Sequence, residues 1–365
     1  MKTKFILLCA ATAVLAACAK TEVTPEILNQ DAEITFLTAP VTKAASENEK
    51  TFANTNVFQT AAFYDTAENG FVYKSGTAET YIEKSTVKNF SGLWKVADPN
   101  DGTKAKSYYW PKDGGKLSFF SWSLNTGSLT FTQGTPAVDI NVNDGVKLTG
   151  YSSLKNDDFM VADPALDMTQ NTNPGKFYTE GVPTLFHHKT CQFVVNAKTK
   201  ADYTVDPYKQ VFTIDEINFI ELGTEGSYAQ ITDKWTLETI ADGYSVPFYA
   251  KGETTGHVVN YNNGVAEEVE STGTKLYLPQ DVAAGQKLQV VYTVSRTSAK
   301  NTKSTQYTAE IAMSDLGFTT FAAGKKYIIN LTFGLDEILW DPAVEDWTVG
   351  QTVNASVKDN TVTVE

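Results

Sequence analysis

Cysteine, histidine and arginine are scarce in this chain of 365 residues, which contains three cysteines, three histidines and the single arginine Arg296. Cys9 and Cys18 lie within or directly after an apolar N-terminal leader, so Cys191 is the one cysteine left for the folded part. A disulfide framework is therefore excluded. The apolar stretch around Cys191 predicts a buried strand position for this thiol rather than a reactive site.

The few histidines also argue against a metal centre. His187 and His188 are neighbours, so on a strand they face opposite sides of the sheet, and His257 stands alone. The acidic pairs lack the regular ligand spacing of a calcium loop. No G-x-S-x-G nucleophile turn, phosphate-binding loop or dinucleotide-binding glycine pattern occurs. We therefore predict no metal, no cofactor and no enzymatic activity.

Positive charge is in the minority. The formal net charge is −13, and it becomes −15 if Lys2 and Lys4 are removed with the leader. A surface of this sign repels phosphate groups, which disfavours nucleic acid and anionic membrane surfaces as partners.

The chain also lacks a long apolar run at its start. The apolar segment from Phe5 to Ala17 is shorter than the roughly 20 residues of a membrane-spanning helix. With Lys2 and Lys4 before it, this segment is typical of a secretory signal peptide covering residues 1–17. The sequence Leu15–Cys18 has the form of a bacterial lipobox, which predicts cleavage between Ala17 and Cys18 and attachment of a membrane lipid to Cys18. The alternative is an ordinary signal peptide cut near Ala17.

Strand patterns dominate the remaining sequence. Short apolar stretches such as Leu117–Trp122 and Leu288–Val294 alternate with Asn-Gly and Asp-Gly turns, and few segments have a helical period. The pattern predicts an all-β protein of sandwich type with few short helices. We predict a tether with a first short strand over residues 18–43, an N-terminal domain over 44–182 and a C-terminal domain over 183–365.

Several segments in a fixed order resemble the fimbrillin, or type V pilin, family of Bacteroides-like bacteria. They are Ser107–Pro111 before an aromatic strand, Asp157–Ala162, Leu185–His188, Ile214–Gly226, Leu276–Gln280, Ala323–Tyr327 and Trp340–Trp347. The resemblance implies two tandem transthyretin-like β-sandwich domains and export as an outer-membrane lipoprotein. It also implies removal of an N-terminal prosegment by a surface protease. Loss of the first strand leaves an open groove in the N-terminal domain. A strand from a neighbouring copy or related pilin then fills this groove, and repeated joining builds a fimbrium that mediates cell adhesion.

Two segments fit the strands that this mechanism requires. Ile34 and Phe36 alternate with polar or outward residues and are the predicted sacrificial strand. The predicted donor strand is the C-terminal tail, whose apolar residues also alternate: Val353, Ala355, Val357, Val362 and Val364. The alternative for the tail is a terminal hairpin paired within its own domain.

The linker after the first strand departs from the family pattern. Stalk pilins are usually cut after an arginine, whereas here Lys43 precedes Ala44 in a polar stretch. One prediction is cleavage between Lys43 and Ala44, giving a stalk or tip subunit. The alternatives are an uncleaved, lipid-anchored base subunit, or a monomeric surface lipoprotein that binds glycans through aromatic residues near Tyr108–Trp110.

Overall fold

The structure, a computed structural model, describes residues 32–38, 57–65, 78–125, 137–141, 144–170, 181–253, 255–335, 337–346 and 353–354. Cys18, Ala17, Lys43 and Ala44 lie outside these residues. Nearly all described elements are β-strands, and none of the helices reaches seven residues, which confirms the all-β prediction. Within the described ranges, no helix has the length and apolarity needed to cross a membrane.

Eleven strands form most of the N-terminal half. They are β1 (Phe36–Leu37), β2 (Phe58–Asp65), β3 (Glu79–Phe90), β4 (Leu93–Val96), β5 (Lys116–Asn125), β6 (Ala137–Asn141), β7 (Gly145–Ser152), β8 (Asp158–Ala162), β9 (Ala165–Met168), β10 (Val182–Pro183) and β11 (Phe186–His188). Nine of them form the first sheet in the order β10-β1-β4-β3-β2-β5-β8-β11, with β9 also paired to β5.

Fifteen strands follow. They are β12 (Cys191–Thr199), β13 (Gln210–Ile220), β14 (Glu225–Ala229), β15 (Lys234–Leu237), β16 (Ser245–Ala250), β17 (His257–Val259), β18 (Glu267–Glu268), β19 (Leu276–Tyr277), β20 (Gln280–Asp281), β21 (Lys287–Thr297), β22 (Thr302–Ala312), β23 (Thr320–Phe321), β24 (Lys325–Phe333), β25 (Ile338–Asp346) and β26 (Val353–Asn354).

The central strand of the first sheet, β5, is covered on both faces. Leu117 and Phe119 point into one apolar cluster, whereas Phe120, Trp122 and Leu124 point into another on the opposite face. The serines between these apolar residues, Ser118, Ser121 and Ser123, are buried as well, as expected of a strand that is covered on both faces.

The first cluster is enclosed by curvature of the first sheet itself. Strands β4 and β3 lie between β1 and β2 in the sheet order, yet the rings of Phe36 and Phe58 are 5.7 Å apart. The ring of Phe119 on β5 lies 5.9 Å from that of Phe36. The sheet therefore rolls over, so that β1 closes the core against β2 and β5.

A second sheet, in the order β15-β14-β7-β6, covers the other cluster. Leu148 and Tyr151 from β7 and Tyr228 from β14 join the same buried cluster as Phe120 and Trp122. Two strands of this sheet therefore come from beyond residue 183.

The C-terminal half is a sandwich of two further sheets. One has the order β18-β12-β24-β25-β26, with β19 also on β12, and the other has the order β16-β13-β21-β22, with β17 also on β13. Residues along β12 alternate strictly between buried and partly exposed positions. Cys191 is fully buried as predicted, its thiol donates to the Tyr277 carbonyl at 3.4 Å, and burial raises the pKa of the thiol.

The predicted domain limits stay a prediction, and contacts cross the limit between residues 182 and 183. Strand β11 pairs with β8, and the β14–β15 hairpin pairs with β7. The Asn156 amide nitrogen donates to the Gly273 carbonyl at 2.9 Å, and its oxygen accepts from the Lys275 backbone at 2.7 Å. Leu278 is buried in the cluster between the first two sheets. The two halves are therefore interlocked.

This interlock predicts cooperative unfolding. Leu278→Ala should lower the free energy of unfolding by about 2–5 kcal/mol, because it leaves a cavity in a core built from both halves. Chemical denaturation followed by tryptophan fluorescence should show one transition that shifts as a whole. Val265→Ala, at a position 62% exposed, is the control and should change stability by less than about 0.5 kcal/mol. Two separate transitions, only one of them shifted, would contradict the interlock.

Candidate functional site: the groove around the first strand

The first strand lies inside the first sheet, not at its edge. β1 runs parallel to β10, with Phe36 opposite Val182, and antiparallel to β4, with Phe36 opposite Trp94. It therefore joins two elements that are far from it in sequence. We call the space that residues 32–38 occupy the first-strand groove.

Backbone hydrogen bonds hold this segment on two sides. The Ile34 N–H donates to the Tyr108 carbonyl at 2.7 Å, and the Ala32 carbonyl accepts from the Trp110 N–H at 3.0 Å. On the other side, the carbonyls of Thr35 and Leu37 accept from the N–H groups of Val182 and Thr184 at 2.7 and 2.8 Å. Loss of the segment would leave these partners unpaired, and a buried unpaired backbone group is costly.

The side chains of the first strand complete the core. Ile34 and Phe36 are only 3% and 2% exposed, as the alternation in the sequence predicted. Phe36 makes edge-to-face contacts with Phe58 and Phe119, and both predicted residues belong to the cluster that also contains Trp94, Trp110 and Val182. An aromatic ring buried in this way contributes several kcal/mol to stability, so the first strand is part of the core that it covers.

Gly181 allows the close approach of β10 to β1. Its φ is +105°, a conformation that side-chain-bearing residues rarely adopt. A Cβ atom at this position would lie 2.8 Å from the Phe36 carbonyl carbon and 2.9 Å from its nitrogen. The groove therefore needs glycine at residue 181 for two independent reasons.

A partly buried ion pair holds the start of the first-strand segment in place. Glu33 pairs with Lys95 on β4, and its other oxygen accepts from the Ser107 hydroxyl at 2.6 Å. Partial burial raises the pKa of Glu33, but the hydrogen bonds from Lys95 and Ser107 and the charge of Lys95 outweigh this effect. The net result is a pKa of Glu33 below its ordinary value of 4.5.

The other predicted site residues do not join the groove in the described structure. Val353 begins β26, which pairs with β25 of its own half at Val344 and Ala343. Ala355, Val357, Val362 and Val364 lie outside the described residues, as do Ala17, Cys18, Lys43 and Ala44. The donor, lipidation and cleavage roles therefore stay predictions.

The aromatic residues near Tyr108 serve mainly the core. Trp110 is 6% exposed and belongs to the cluster beneath β1, and Tyr108 packs against that cluster. Tyr109 is 44% exposed, and its carbonyl accepts from the Tyr81 hydroxyl at 2.6 Å. This segment is a wall of the first-strand groove more than a flat external platform.

The two adjacent histidines bind different carboxylates. His187 lies 3.1 Å from Asp163 and His188 lies 2.9 Å from Asp158. Within the described part of the chain, no three His, Cys, Asp or Glu side chains are grouped so that they could hold a metal ion.

Sequence reasoning missed the elements that form the walls of the groove. Gly181, Lys95 and the segment 107–110 are remote from β1 in the sequence, and no local pattern links them to it. The predicted domain limit between residues 182 and 183 falls on one of these elements, because β10 covers Val182–Pro183.

The chain is similar in sequence to one known protein family and in structure to several solved proteins. A sequence model of a family described as fimbrillin-like matches residues 55–347. A fimbrial protein from Bacteroides vulgatus has a similar structure, with a TM-score of 0.58 and 15% sequence identity over 80% of this chain and 93% of the other. A proposed cell adhesion protein from Bacteroides uniformis gives a TM-score of 0.50 and 14% identity over 87% and 99%. At such identities the likeness establishes a shared fold. No curated protein matches the chain.

The close approach at Gly181 predicts a specific loss of stability. Gly181→Ala should lower the free energy of unfolding by at least about 1–3 kcal/mol, because strain at positive φ adds to a collision with the backbone of β1. Hydrogen exchange should show faster exchange of the Ile34 amide, and chemical denaturation gives the stability change. Gly92→Ala is the matched control, since its φ is +95° and a Cβ atom there would meet no atom within 4 Å. Equal losses in both variants would rule out the contact with β1 as a cause.

The low pKa of Glu33 predicts a pH dependence. A carboxyl group whose pKa is lower in the folded state stabilises that state above its unfolded pKa, and this stability is lost as the pH falls through the folded pKa. Glu33→Gln should therefore lower the free energy of unfolding by about 1 kcal/mol at neutral pH, and this difference from the wild type should shrink as the pH falls below the ordinary carboxyl value of 4.5 and through the lower folded-state pKa.

Chemical denaturation across that pH range measures the effect, and a double-mutant cycle with Lys95→Met isolates the pair. A difference between wild type and Glu33→Gln that stays constant with pH would show that the ion pair does not stabilise the docked strand.

Proposed function

The chain belongs to the fimbrillin-like family, and on that premise we propose that it is a fimbrial subunit that assembles by replacing its own first strand with a strand from a neighbouring subunit. The role is structural and adhesive, without catalysis. The observation that carries the proposal is the position of β1, a two-residue strand inserted between β4 and β10 with its apolar side chains in the core.

Removal of the first strand would create an acceptor site. The N–H groups of Val182 and Thr184 and the Tyr108 carbonyl would lose their partners, and the apolar cluster would be open above Phe58 and Phe119. Such a groove binds an extended segment by β-augmentation, in which backbone hydrogen bonds give affinity and alternate side chains fill the pockets.

Proteolysis supplies the means of removal. We propose that a surface protease cuts between Lys43 and Ala44, after which the segment containing Ile34 and Phe36 is held by noncovalent contacts alone. Before the cut, a lipid on Cys18 anchors the subunit to the outer membrane. Cleavage therefore separates the anchor from the folded subunit.

The C-terminal tail is the proposed donor. Its residues Val353, Ala355 and Val357 have the alternation that a replacement for Ile34 and Phe36 needs. In the described structure the tail is paired to its own half only at Val353 and Asn354, so donation to a neighbour has to break a short ladder on β25.

A base subunit that is never cut is the second candidate. The Glu33 contacts with Lys95 and Ser107, together with burial of Phe36, favour retention of the first strand. In that case the lipid on Cys18 would stay attached and the groove would stay filled.

The decisive measurement is the N-terminus of the protein isolated from the cell surface, together with the presence of SDS-resistant ladders. The wild type should begin at Ala44 and form ladders, whereas Lys43→Ala should keep Cys18 at its N-terminus and stay monomeric. Lys50→Ala, in the same linker, is the matched control and should behave as wild type.

Deletion of residues 350–365 separates donor from acceptor. The shortened subunit should fold and be cleaved but form no ladders. Ladders formed by the deletion variant would exclude the tail as donor. A wild-type protein that keeps Cys18, and forms no ladder after treatment with a Lys-specific protease, would overturn the exchange mechanism in favour of the base subunit.

A further inference from the structure

A cleft of about 610 Å³ opens between the β14–β15 hairpin and the two-stranded sheet of β20 and β23. Its volume lies within the roughly 300–1,000 Å³ that is usual for small-molecule sites, which often occur where two structural units meet. Trp235 and Leu237 line one side, Asp281 and Phe321 the other. The residues that line the cleft differ from those that contact the first strand, and none of them takes part in the proposed strand exchange.

Trp235 offers a rigid aromatic surface in this cleft. It is partly exposed, and its indole N–H donates to the Lys189 carbonyl at 2.6 Å. The rings of Tyr151 and Tyr228 lie 5.2 and 5.6 Å from it. Because these contacts already hold the ring in place, packing of a ligand on it causes little further loss of side-chain conformational entropy.

Polar groups of both signs surround the ring. Asp233 accepts from the Lys189 ammonium at 2.8 Å and from the Tyr228 hydroxyl at 2.6 Å. Partial burial raises the pKa of Asp233, but these two hydrogen bonds and the nearby positive charges outweigh it, so the net pKa lies below its ordinary value and the group is ionised at neutral pH. Lys234 and Asp281 are exposed at the rim. Two lysines and two aspartates leave the cleft without a net charge.

Hydrogen bonds hold the side chains at the floor of the cleft in place before a ligand binds. The Gln280 amide donates to the Gly223 carbonyl at 3.0 Å, and its oxygen accepts from the Gly223 N–H at 2.9 Å. The same oxygen accepts from Gln286 at 2.9 Å. This network ties the segment at Gly223 to the segment at Gln280–Gln286 and so holds one side of the cleft in a fixed shape.

We propose that this cleft binds a neutral carbohydrate of one or two sugar units. The C–H face of a pyranose packs on the Trp235 ring, its hydroxyl groups donate to the carboxylates of Asp233 and Asp281, and Lys234 donates to a sugar oxygen. The balanced charge disfavours strongly acidic sugars. The inference adds a ligand site to the fimbrial role and does not depend on strand exchange.

An extended peptide is the competing occupant. The backbone N–H of Glu238 donates to the Glu225 carbonyl across the hairpin. Because hydrogen-bonded and non-hydrogen-bonded pairs alternate along an antiparallel ladder, the backbone N–H and C=O groups of Trp235 and Leu237 point away from β14, toward the free edge of β15. No other strand of the described residues pairs with that edge. However, β15 is only four residues long and begins with Lys234, two features with which proteins protect a free edge. These features favour the sugar.

The test uses the full chain, isolated as a monomer by size-exclusion chromatography, so that binding is measured apart from assembly. Titration calorimetry and saturation-transfer NMR would use methyl glucoside, methyl galactoside, N-acetylglucosamine, lactose, cellobiose and sialic acid as probes. We expect at least one neutral sugar to bind with millimolar affinity or better, and sialic acid to bind more weakly.

Variants assign the binding to the cleft. Asp281→Ala and Lys234→Ala, both exposed at the rim, should each weaken binding about tenfold, the loss typical of one hydrogen bond to a charged group. Trp235→Phe keeps apolar packing and should also weaken binding. Tyr261→Ala, at an exposed tyrosine outside the cleft, is the control and should bind as wild type.

Three results would overturn the proposal: no neutral probe binds, binding is unchanged in the cleft variants, or a peptide of residues 350–365 binds the cleft while the sugars do not. Failure of the fimbrial proposal is recognised separately, by the absence of SDS-resistant ladders from the cleaved full chain.

Discussion

The structure depends on one packing constraint, which is that the first sheet has to close on itself around an apolar cluster. Strand β1 completes that closure, because its backbone joins β4 to β10 and Phe36 seals the space between β2 and β5. A strand of two residues is too short to be stable alone. Its position is therefore maintained by what surrounds it: the aromatic cluster, the close approach at Gly181 and the ion pair at Glu33.

The second constraint is the interlock between the halves. The β14–β15 hairpin leaves the C-terminal half to cover the N-terminal core, and Asn156 binds the backbone at Gly273 and Lys275 in return. The crossing hairpin makes the two halves one packed unit. In the proposed fimbrial role, such a subunit would have no linker between its halves at which to bend.

The sequence predicted the elements that depend on local pattern. The apolar stretch around Cys191 and the alternation at Ile34 and Phe36 identified buried positions correctly, because local patterning indicates which side chains face the core. Contacts between distant segments could not be found in this way. Gly181 meets Phe36 across a separation that only the folded topology defines, and the hairpin at residues 225–237 crosses a limit that composition placed at residue 182. The sequence around Trp110 also does not show whether this side chain lies on the surface or in the core.

The neighbours of β1 differ in direction, since β10 runs parallel to it and β4 antiparallel. Parallel and antiparallel ladders place their hydrogen-bonding groups at different spacings, so a segment that replaced β1 in the same direction would meet the pattern that β10 and β4 now present. If subunits assembled by the proposed exchange, each contact would join two different surfaces. The resulting fibre would then be polar, with two chemically distinct ends.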